Sequence, residues 1–188
     1  MGLAVAEPQA IYSLCPRHNT RPEEQSRWWL AAYTRPCHEV VVAAQLEQKG
    51  LLTLLPTYYR LSRWSDRVRR TRAPLFPGYV FVCASNTERP RVLQTAGVVN
   101  IVSQGGRPVP LSHEDMQKLH FCTCNCSAIE PHPFLRVGQR VRVKYGLFQG
   151  WEGILVEKKN ATRLVITIEH IMRSVSIDLH GADVEALN

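Results

Sequence analysis

The 188-residue sequence lacks the features that mark several large classes of protein. No run approaches the ~20 consecutive apolar residues that cross a bilayer. Residues 1–10 have neither a basic start nor a long apolar segment, unlike a secretory signal. We therefore expect neither a membrane-spanning nor a secreted protein, and no membrane partner.

Motifs of catalysis are missing as well. The sequence has no Gly-x-Ser-x-Gly nucleophile elbow, no phosphate loop ending in Gly-Lys-Ser or Gly-Lys-Thr, and no His-Glu-x-x-His zinc motif. It also has no pair of carboxylates set in an apolar frame. We therefore expect no catalytic residues and no cofactor.

The cysteine pattern gives little support for a metal site. Five side chains could supply thiolate and imidazole ligands to zinc: His120, Cys122, Cys124, Cys126 and His132. However, Cys-x-Cys-x-Cys lacks the two-residue gap of structural zinc sites, and no second pair stands at the usual distance. We expect no metal here. Cys37 and Cys83 fall in apolar patterns typical of free thiols, which favours a reducing, cytoplasmic location.

The sequence does have an excess of positive charge, concentrated in one segment. Lys and Arg number 23 against 16 Asp and Glu, and residues 27–121 hold 13 basic and 6 acidic side chains. A concentrated positive field speeds encounter with polyanions and releases their counterions. Nucleic acid is therefore the first expected partner, and an acidic protein surface the second.

Composition and periodicity divide the chain into four parts. Residues 1–26 carry three prolines and no sustained periodicity, so we expect a flexible leader. Residues 27–121 alternate strands with helices, residues 122–133 interrupt the pattern as a linker, and residues 134–188 contain about five short strands. The predicted fold class is α+β: an antiparallel sheet flanked by helices, followed by a small all-β barrel.

Two helices of the first part are predicted with their ends. A strand that begins at Trp28 is followed by a helix over about 36–49, with Pro36 in its first turn. A later helix runs over about 112–121, with Ser112 as its N-cap. Both helices would cover the sheet.

The most basic stretch mixes arginines with aromatic residues. Its members are Tyr58, Tyr59, Arg60, Arg63, Trp64, Arg67, Arg69, Arg70 and Arg72, with Asp66 as the one acid. Guanidinium forks and aromatic faces engage phosphates and unstacked bases, which favours a nucleic-acid surface. A solvated hairpin loop is the alternative, because basic runs are common on protein surfaces. Arg35 and His38, at the start of the first helix, are a second candidate phosphate contact, with solvation again the alternative for His38.

Two segments resemble a known family. Three features resemble the amino-terminal (NGN) domain of the NusG family of transcription elongation factors. They are Trp28-Trp29 opening a strand, Pro36 before a helix, and Pro-Leu-Phe-Pro-Gly-Tyr-Val-Phe-Val at residues 74–82. Residues 135–153 resemble the family's carboxy-terminal KOW domain, an SH3-like barrel. They read Leu-Arg-Val-Gly-Gln-Arg-Val-Arg-Val-Lys-Tyr-Gly-Leu-Phe-Gln-Gly-Trp-Glu-Gly. Together the matches cover about residues 27–186 in the family's order.

The resemblance implies a monomeric, non-enzymatic antitermination factor that holds RNA polymerase closed and suppresses pausing. It implies that the NGN domain binds the clamp helices of the largest polymerase subunit through an apolar patch formed by Phe76, Tyr79, Phe81 and Met116. Alternation along a strand puts Tyr79 and Phe81 on one face. That face either presents aromatic anchors or is buried beneath a helix.

Further contacts follow from the same resemblance. The basic stretch at residues 63–72 would lie near upstream and non-template DNA, and residues 87–90 near the gate loop of the second-largest subunit. Phe148, at a loop tip between two glycines, would bind ribosomal protein or the termination factor Rho; a ring folded back over the barrel is the alternative.

The sequence also bears on the subgroup and on rival functions. Thr34-Arg35-Pro36 and the compact loop before Pro74 look more like the specialised RfaH-like and UpxY-like antiterminators than like the housekeeping form. An RNA- or ribosome-binding module that does not act on polymerase is the main alternative, because small barrels commonly bind RNA. A metal-dependent enzyme using the Cys-rich stretch is a third.

Overall fold

The computed structural model describes residues 27–64, 67–125, 129–132, 139–158, 161–179 and 184–187. These residues form two compact units. The first contains the described residues up to Thr57 together with Phe76–Phe121; the second contains Tyr58–Leu75 and the described part of Cys122–Asn188. The predicted leader, residues 1–26, lies outside the described residues.

The order of elements confirms the α+β class. In chain order the strands are β1 (Trp28–Thr34), β2 (Leu52–Leu54), β3 (Thr57–Trp64), β4 (Arg67–Pro74), β5 (Tyr79–Ala84), β6 (Val98–Ile101), β7 (Ser103–Gln104), β8 (Arg107–Pro108), β9 (Ile129–His132), β10 (Gln139–Val143), β11 (Glu152–Lys158), β12 (Ala161–Ile168), β13 (Arg173–Asp178) and β14 (Val184–Ala186). The α-helices are α1 (Glu39–Gln48), α2 (Arg89–Leu93) and α3 (His113–Asn125), and a 3-10 turn spans Glu169–Ile171.

The first unit contains an antiparallel sheet of order β2-β5-β1-β6. β1 and β5 lie side by side in its centre, with Leu30 opposite Val82 and Ala32 opposite Val80. These four side chains belong to a buried cluster that also includes residues of α1, α2 and β6: Val42, Ala43, Leu46, Val92 and Ile101. One face of the sheet is therefore packed beneath the first two helices.

The opposite face of the same sheet is buried too. Alternation turns Trp29, Ala31, Phe81 and Cys83 away from the first cluster, and all four are buried. Leu111 pairs with Trp29 in an isolated bridge just before α3 begins. A sheet covered on both sides has central strands that are apolar throughout, as β1 and β5 are.

Helix α1 begins later than its sequence pattern predicts. Cys37 has a φ of 62°, a left-handed conformation that a helix interior does not accept. The helix therefore starts at Glu39, and Pro36 lies in the preceding turn rather than in the first helical turn.

The turn before helix α2 is held by a Ser85–Glu88 contact that the sequence analysis missed. The Ser85 backbone N–H and hydroxyl both donate to Glu88 Oε2, at 3.0 and 3.1 Å, and the Arg27 guanidinium bonds Glu88 Oε1. Desolvation by burial raises the pKa of Glu88, but the Ser85 hydrogen bonds and the Arg27 charge outweigh it, so the pKa is lowered overall. Ser-x-x-Glu ahead of a helix is the signal that was available.

Helix α3 confirms its predicted cap and overturns the predicted linker. The Asp115 N–H donates to Ser112 Oγ at 3.3 Å. The helix continues through residues 122–125, however, and residues 129–132 form β9. Cys122 is fully buried, which explains why the helix extends past the predicted end: its apolar face continues to that residue.

The second unit contains a six-stranded antiparallel sheet of order β14-β10-β11-β12-β13-β9. Its buried side chains are mainly β-branched, as expected of strands: Val141, Val143, Val165, Ile166, Ile168, Val175 and Ile177. Gly153 in β11 allows a close approach, because a Cβ there would lie 2.7 Å from the Val165 carbonyl oxygen. This β-rich part is consistent with the predicted KOW barrel, and β9 adds a strand that the sequence analysis had placed in the linker.

The predicted free thiol at Cys83 is wrong. Cys83 is disulfide-bonded, whereas Cys37, Cys122 and Cys124 are not. The inference of a reducing environment from Cys83 therefore loses its support.

Candidate functional site

The turn between β4 and β5 is fastened at two points to the strand and helix beside it. The Thr34 N–H donates to the Gly78 carbonyl at 2.8 Å, and the Gly78 N–H donates to Glu39 Oε1 at 2.7 Å. Gly78 has a φ of 84°, and a Cβ there would stand 3.2 Å from the Tyr33 ring. Glycine is therefore required by both conformation and space.

An aromatic pair lies over this turn. The rings of Tyr33 and Tyr79 meet at a centroid distance of 5.4 Å with a 56° tilt. Their strands place them directly opposite each other. Tyr33 keeps 43% of its surface exposed, and Tyr79 is half-buried. We call Tyr33, Gly78 and Tyr79 the tyrosine surface; rigid aromatic rings that are partly open to solvent are typical anchors of protein interfaces.

Three of the four residues predicted to form an exposed polymerase-binding patch are not on the surface. Phe76, Phe81 and Met116 are almost fully buried, and the Phe76 and Phe81 rings meet edge to face at 5.4 Å. The alternative of a covered face is therefore the correct one, because β1 and β5 are covered on both sides. Of the predicted set only Tyr79 reaches solvent.

Tyr33 was missed by sequence reasoning. A usable signal was present: the β1 pattern puts it on the face of Trp29 and Ala31, one residue before the chain turns towards α1. A large aromatic at the end of a strand faces the rim of the core rather than its centre.

The second candidate phosphate contact, formed by Arg35 and His38, is exposed to solvent, as the binding of a phosphate requires. Arg35 and His38 are both exposed, and the His38 N–H donates to the Arg35 carbonyl at 3.1 Å. The Arg35 N–H is held by the Gly97 carbonyl at 2.8 Å. The two side chains thus start from one fixed turn at the beginning of α1.

The basic stretch forms a β-hairpin rather than a loop, since β3 and β4 pair as a two-stranded sheet. Arg60, Arg70 and Arg72 are exposed on it. The Arg70 guanidinium lies 4.0 Å from the centroid of the Tyr59 ring.

The predicted contacts at Arg63, Arg67 and Arg69 concern side chains outside the described part of the chain. The hairpin belongs to the second compact unit, although the sequence analysis included it in the NGN domain.

The segment at residues 87–90, predicted to lie near a gate loop, is occupied by internal contacts. Glu88 bonds Ser85 and Arg27, and Thr87 Oγ1 lies 2.9 Å from Ser85 Oγ. These side chains stabilise the start of α2, and their polar groups are already hydrogen-bonded within the protein.

In the KOW region the predicted docking ring is folded inwards. Phe148 is only 8% exposed and packs on Trp151 at a centroid distance of 5.3 Å. The alternative of a ring folded back over the barrel is therefore correct. On the same loop Tyr145 and Leu147 are 61% and 59% exposed, and the sequence analysis did not select them.

The basic residues of β10 and the loop after it lie near two acidic side chains. Arg142 pairs with Glu152, and Lys144 lies 3.7 Å from Glu185. The hydrogen bond and charge of Glu152, outweighing slight desolvation, raise the pKa of Arg142. These ion pairs lie at the surface, where solvent screens them.

The described residues contain no cluster of three or more His, Cys, Asp and Glu side chains that could hold a metal ion. Cys126 and the His132 side chain, both considered above as ligands, lie outside what the structure describes. No helix in the described ranges has the length and apolar character needed to cross a membrane.

Comparison with known proteins identifies the family. The family described as "NusG: Transcription termination factor nusG" matches residues 27–120, half of the chain, and the chain therefore belongs to the NusG family. Proteins of this family are transcription factors, so the chain is not an enzyme.

Individual relatives agree with this assignment. The transcription termination/antitermination protein NusG of Borreliella burgdorferi is 26% identical over 137 residues, which cover 64% of this chain and 71% of that protein. NusG of Lactococcus lactis is 26% identical over 146 residues, covering 74% and 77%. A solved structure of Thermotoga maritima NusG, at 22% identity, matches in fold with a TM-score of 0.53 over 88% of this chain and 99% of that one.

Proposed function

We propose that this NusG-family factor binds RNA polymerase through the tyrosine surface and, by holding the clamp closed, suppresses pausing and termination. The expected contact is the clamp helices of the largest subunit. The observation that carries the proposal is the Tyr33–Tyr79 pair, an exposed aromatic contact on a turn that is fixed by Thr34 and Glu39. Preorganised aromatic anchors lose little conformational entropy on binding.

The buried residues of the predicted patch have an indirect role in this proposal. The Phe76 and Phe81 rings pack against each other in the core, and the Phe76 carbonyl accepts the Tyr79 N–H at 3.1 Å. Their replacement would weaken binding by loosening the fold, whereas replacement of the tyrosines would weaken binding directly.

The hairpin and the barrel would then contact other parts of the transcription complex. The exposed arginines of the hairpin, Arg60, Arg70 and Arg72, fit upstream or non-template DNA, and Arg35 with His38 fits a phosphate. The barrel would recruit a ribosomal protein or Rho through Tyr145 and Leu147, not through the buried Phe148. Such a factor acts in the cytoplasm as a monomer.

The test is binding of the full chain to purified bacterial RNA polymerase. Tyr33→Ala with Tyr79→Ala should weaken binding by about 30-fold or more, the range of an interface hot spot. Tyr145→Ala is the matched control, because it removes an exposed tyrosine from the other unit, and it should leave binding unchanged. Equal affinity of the double variant and the wild type, with both folded, would contradict the proposal.

The assignment to the specialised RfaH-like and UpxY-like subgroup makes a separate prediction. A specialised factor acts on a few long operons, whereas a housekeeping factor acts on most transcripts. Mapping of transcript lengths with and without the protein separates these outcomes.

A further inference from the structure

The β3–β4 hairpin contains an aromatic and a guanidinium that are stacked in the open. The Arg70 guanidinium carbon lies 4.0 Å from the Tyr59 ring centroid, yet 60% of the Tyr59 surface remains exposed. Arg70 is itself exposed. The guanidinium therefore lies over the Tyr59 ring at the surface.

This pair contributes little to the fold. A cation–π contact at an exposed site is weak, and the rings that stabilise a core are buried. Thr71 Oγ1, which donates to the Arg60 carbonyl at 3.3 Å, is the kind of contact that holds the two strands in register. The Tyr59–Arg70 stack is not needed for that purpose.

The charged side chains of the two hairpin strands are all basic. Neither β3 nor β4 contains an acidic residue, and Arg60 and Arg72 are exposed on the described part of the hairpin. Arg72 follows Arg70 by two positions, so it lies on the same side of the sheet, about 7 Å further along the strand. Crowded like charges favour an anionic ligand at this surface.

We propose that Tyr59 and Arg70 form a stacking site for one unpaired nucleobase, with Arg72 beside the adjoining phosphate. The ligand is single-stranded nucleic acid, because a base within a duplex exposes its edges to the grooves and hides its faces in the stack. The proposal rests on the inferred contact of the hairpin with nucleic acid and adds Tyr59 to it. Such a stacking site would give the protein a preference for unpaired strands over duplexes, which phosphate contacts alone would not give.

The experiment uses the full chain without polymerase, so its outcome is independent of the test of the tyrosine surface. The probes are a fluorescent oligothymidine of roughly 12 nucleotides, an abasic strand of the same length, the matching oligouridine, and a duplex DNA of that length. Binding is followed by fluorescence anisotropy at low salt. The variants are Tyr59→Ala, Tyr59→Phe and Arg70→Lys, with Leu93→Ala, which shortens an exposed apolar side chain outside the hairpin, as the control.

The wild type should prefer oligothymidine to the abasic strand. Tyr59→Ala should weaken oligothymidine binding about tenfold, to the level of the abasic strand, and leave duplex binding unchanged. Tyr59→Phe should retain the preference because it keeps the ring, and Arg70→Lys should reduce it because it keeps charge without a flat face. Comparison of the thymidine and uridine strands identifies DNA or RNA as the preferred source of the base.

Two results would overturn the site. One is an equal loss of affinity for single-stranded and duplex probes in Tyr59→Ala, which would assign the effect to the hairpin as a whole. The other is less than a twofold change on oligothymidine. Circular dichroism and thermal unfolding of Tyr59→Ala, measured in parallel, show whether the variant is folded.

Discussion

The two units each carry a turn with a phenylalanine near a tyrosine, and both turns place these rings in the same way. In the first unit Phe76 is buried while Tyr79 reaches solvent; in the second Phe148 is buried while Tyr145 is exposed. In both, the fully apolar ring packs inside and the ring with a hydroxyl stays at the surface. A sequence motif thus predicts which turn makes an aromatic contact with a partner. The burial of each ring in the folded protein decides which ring is available for that contact.

The turns differ in what fixes them. The first is held by a side chain as well as by the backbone, because the buried Glu39 carboxylate accepts the Gly78 N–H while the Thr34 N–H donates to the Gly78 carbonyl. The second is held by the backbone: the Gly150 N–H donates to the Val143 carbonyl at 2.7 Å, and the Val143 N–H to the Trp151 carbonyl at 2.9 Å. The first turn should therefore depend more strongly on single side chains.

The largest expected effect is that of Phe76→Ala. Removing a fully buried ring leaves a cavity and typically lowers the free energy of unfolding by about 3–5 kcal/mol. Urea unfolding of the full chain measures this. A loss below about 1 kcal/mol would mean that the ring is a surface anchor after all, and would break the parallel between the turns.

Phe148→Ala should have a smaller effect of the same sign. Its ring packs mainly on Trp151 and retains slight exposure, so we expect a loss of about 2–3 kcal/mol, at or below the low end for a buried phenylalanine. Tyr145→Ala, on the same loop, should change stability by less than about 0.5 kcal/mol. If the two variants were equally stable, Phe148 would have to be exposed in solution.

These differences show what the sequence could and could not predict. Alternation and β-branched runs predicted the central strands and the barrel strands, and a serine followed by acidic residues predicted the Ser112 cap, because those patterns depend on local geometry. The exposure of Phe76 and Phe148 was mispredicted, because it depends on how each turn folds its rings against other side chains, which the pattern of residue types does not specify. Residues 129–132 were assigned to a linker since Pro131 and Pro133 suggest one, yet pairing with β13 makes them an edge strand.

Glu39→Ala tests the side-chain support of the first turn. It would leave the Gly78 N–H without its acceptor, which costs about 1–3 kcal/mol for a buried donor. Glu39→Gln keeps an acceptor oxygen and should recover most of this loss. Hydrogen exchange at Gly78 gives a local measurement; unchanged protection in Glu39→Ala would show that the backbone alone fixes this turn too.

The smallest effect concerns Glu88, where the two units should differ in their response to acid. Because the fold lowers the pKa of Glu88, its ionised form stabilises the protein above the ordinary value of 4.5, and this contribution is lost as pH falls through the folded value. The free energy of unfolding of Glu88→Gln should therefore be about 1 kcal/mol lower than that of the wild type at neutral pH, and this difference should close below about pH 4.5.

Glu152→Gln, which removes an exposed partner of Arg142, is the control and should have little effect at any pH. A Glu88→Gln deficit that persists at pH 3 would assign the loss to packing, and the first unit would then be no more acid-sensitive than the second.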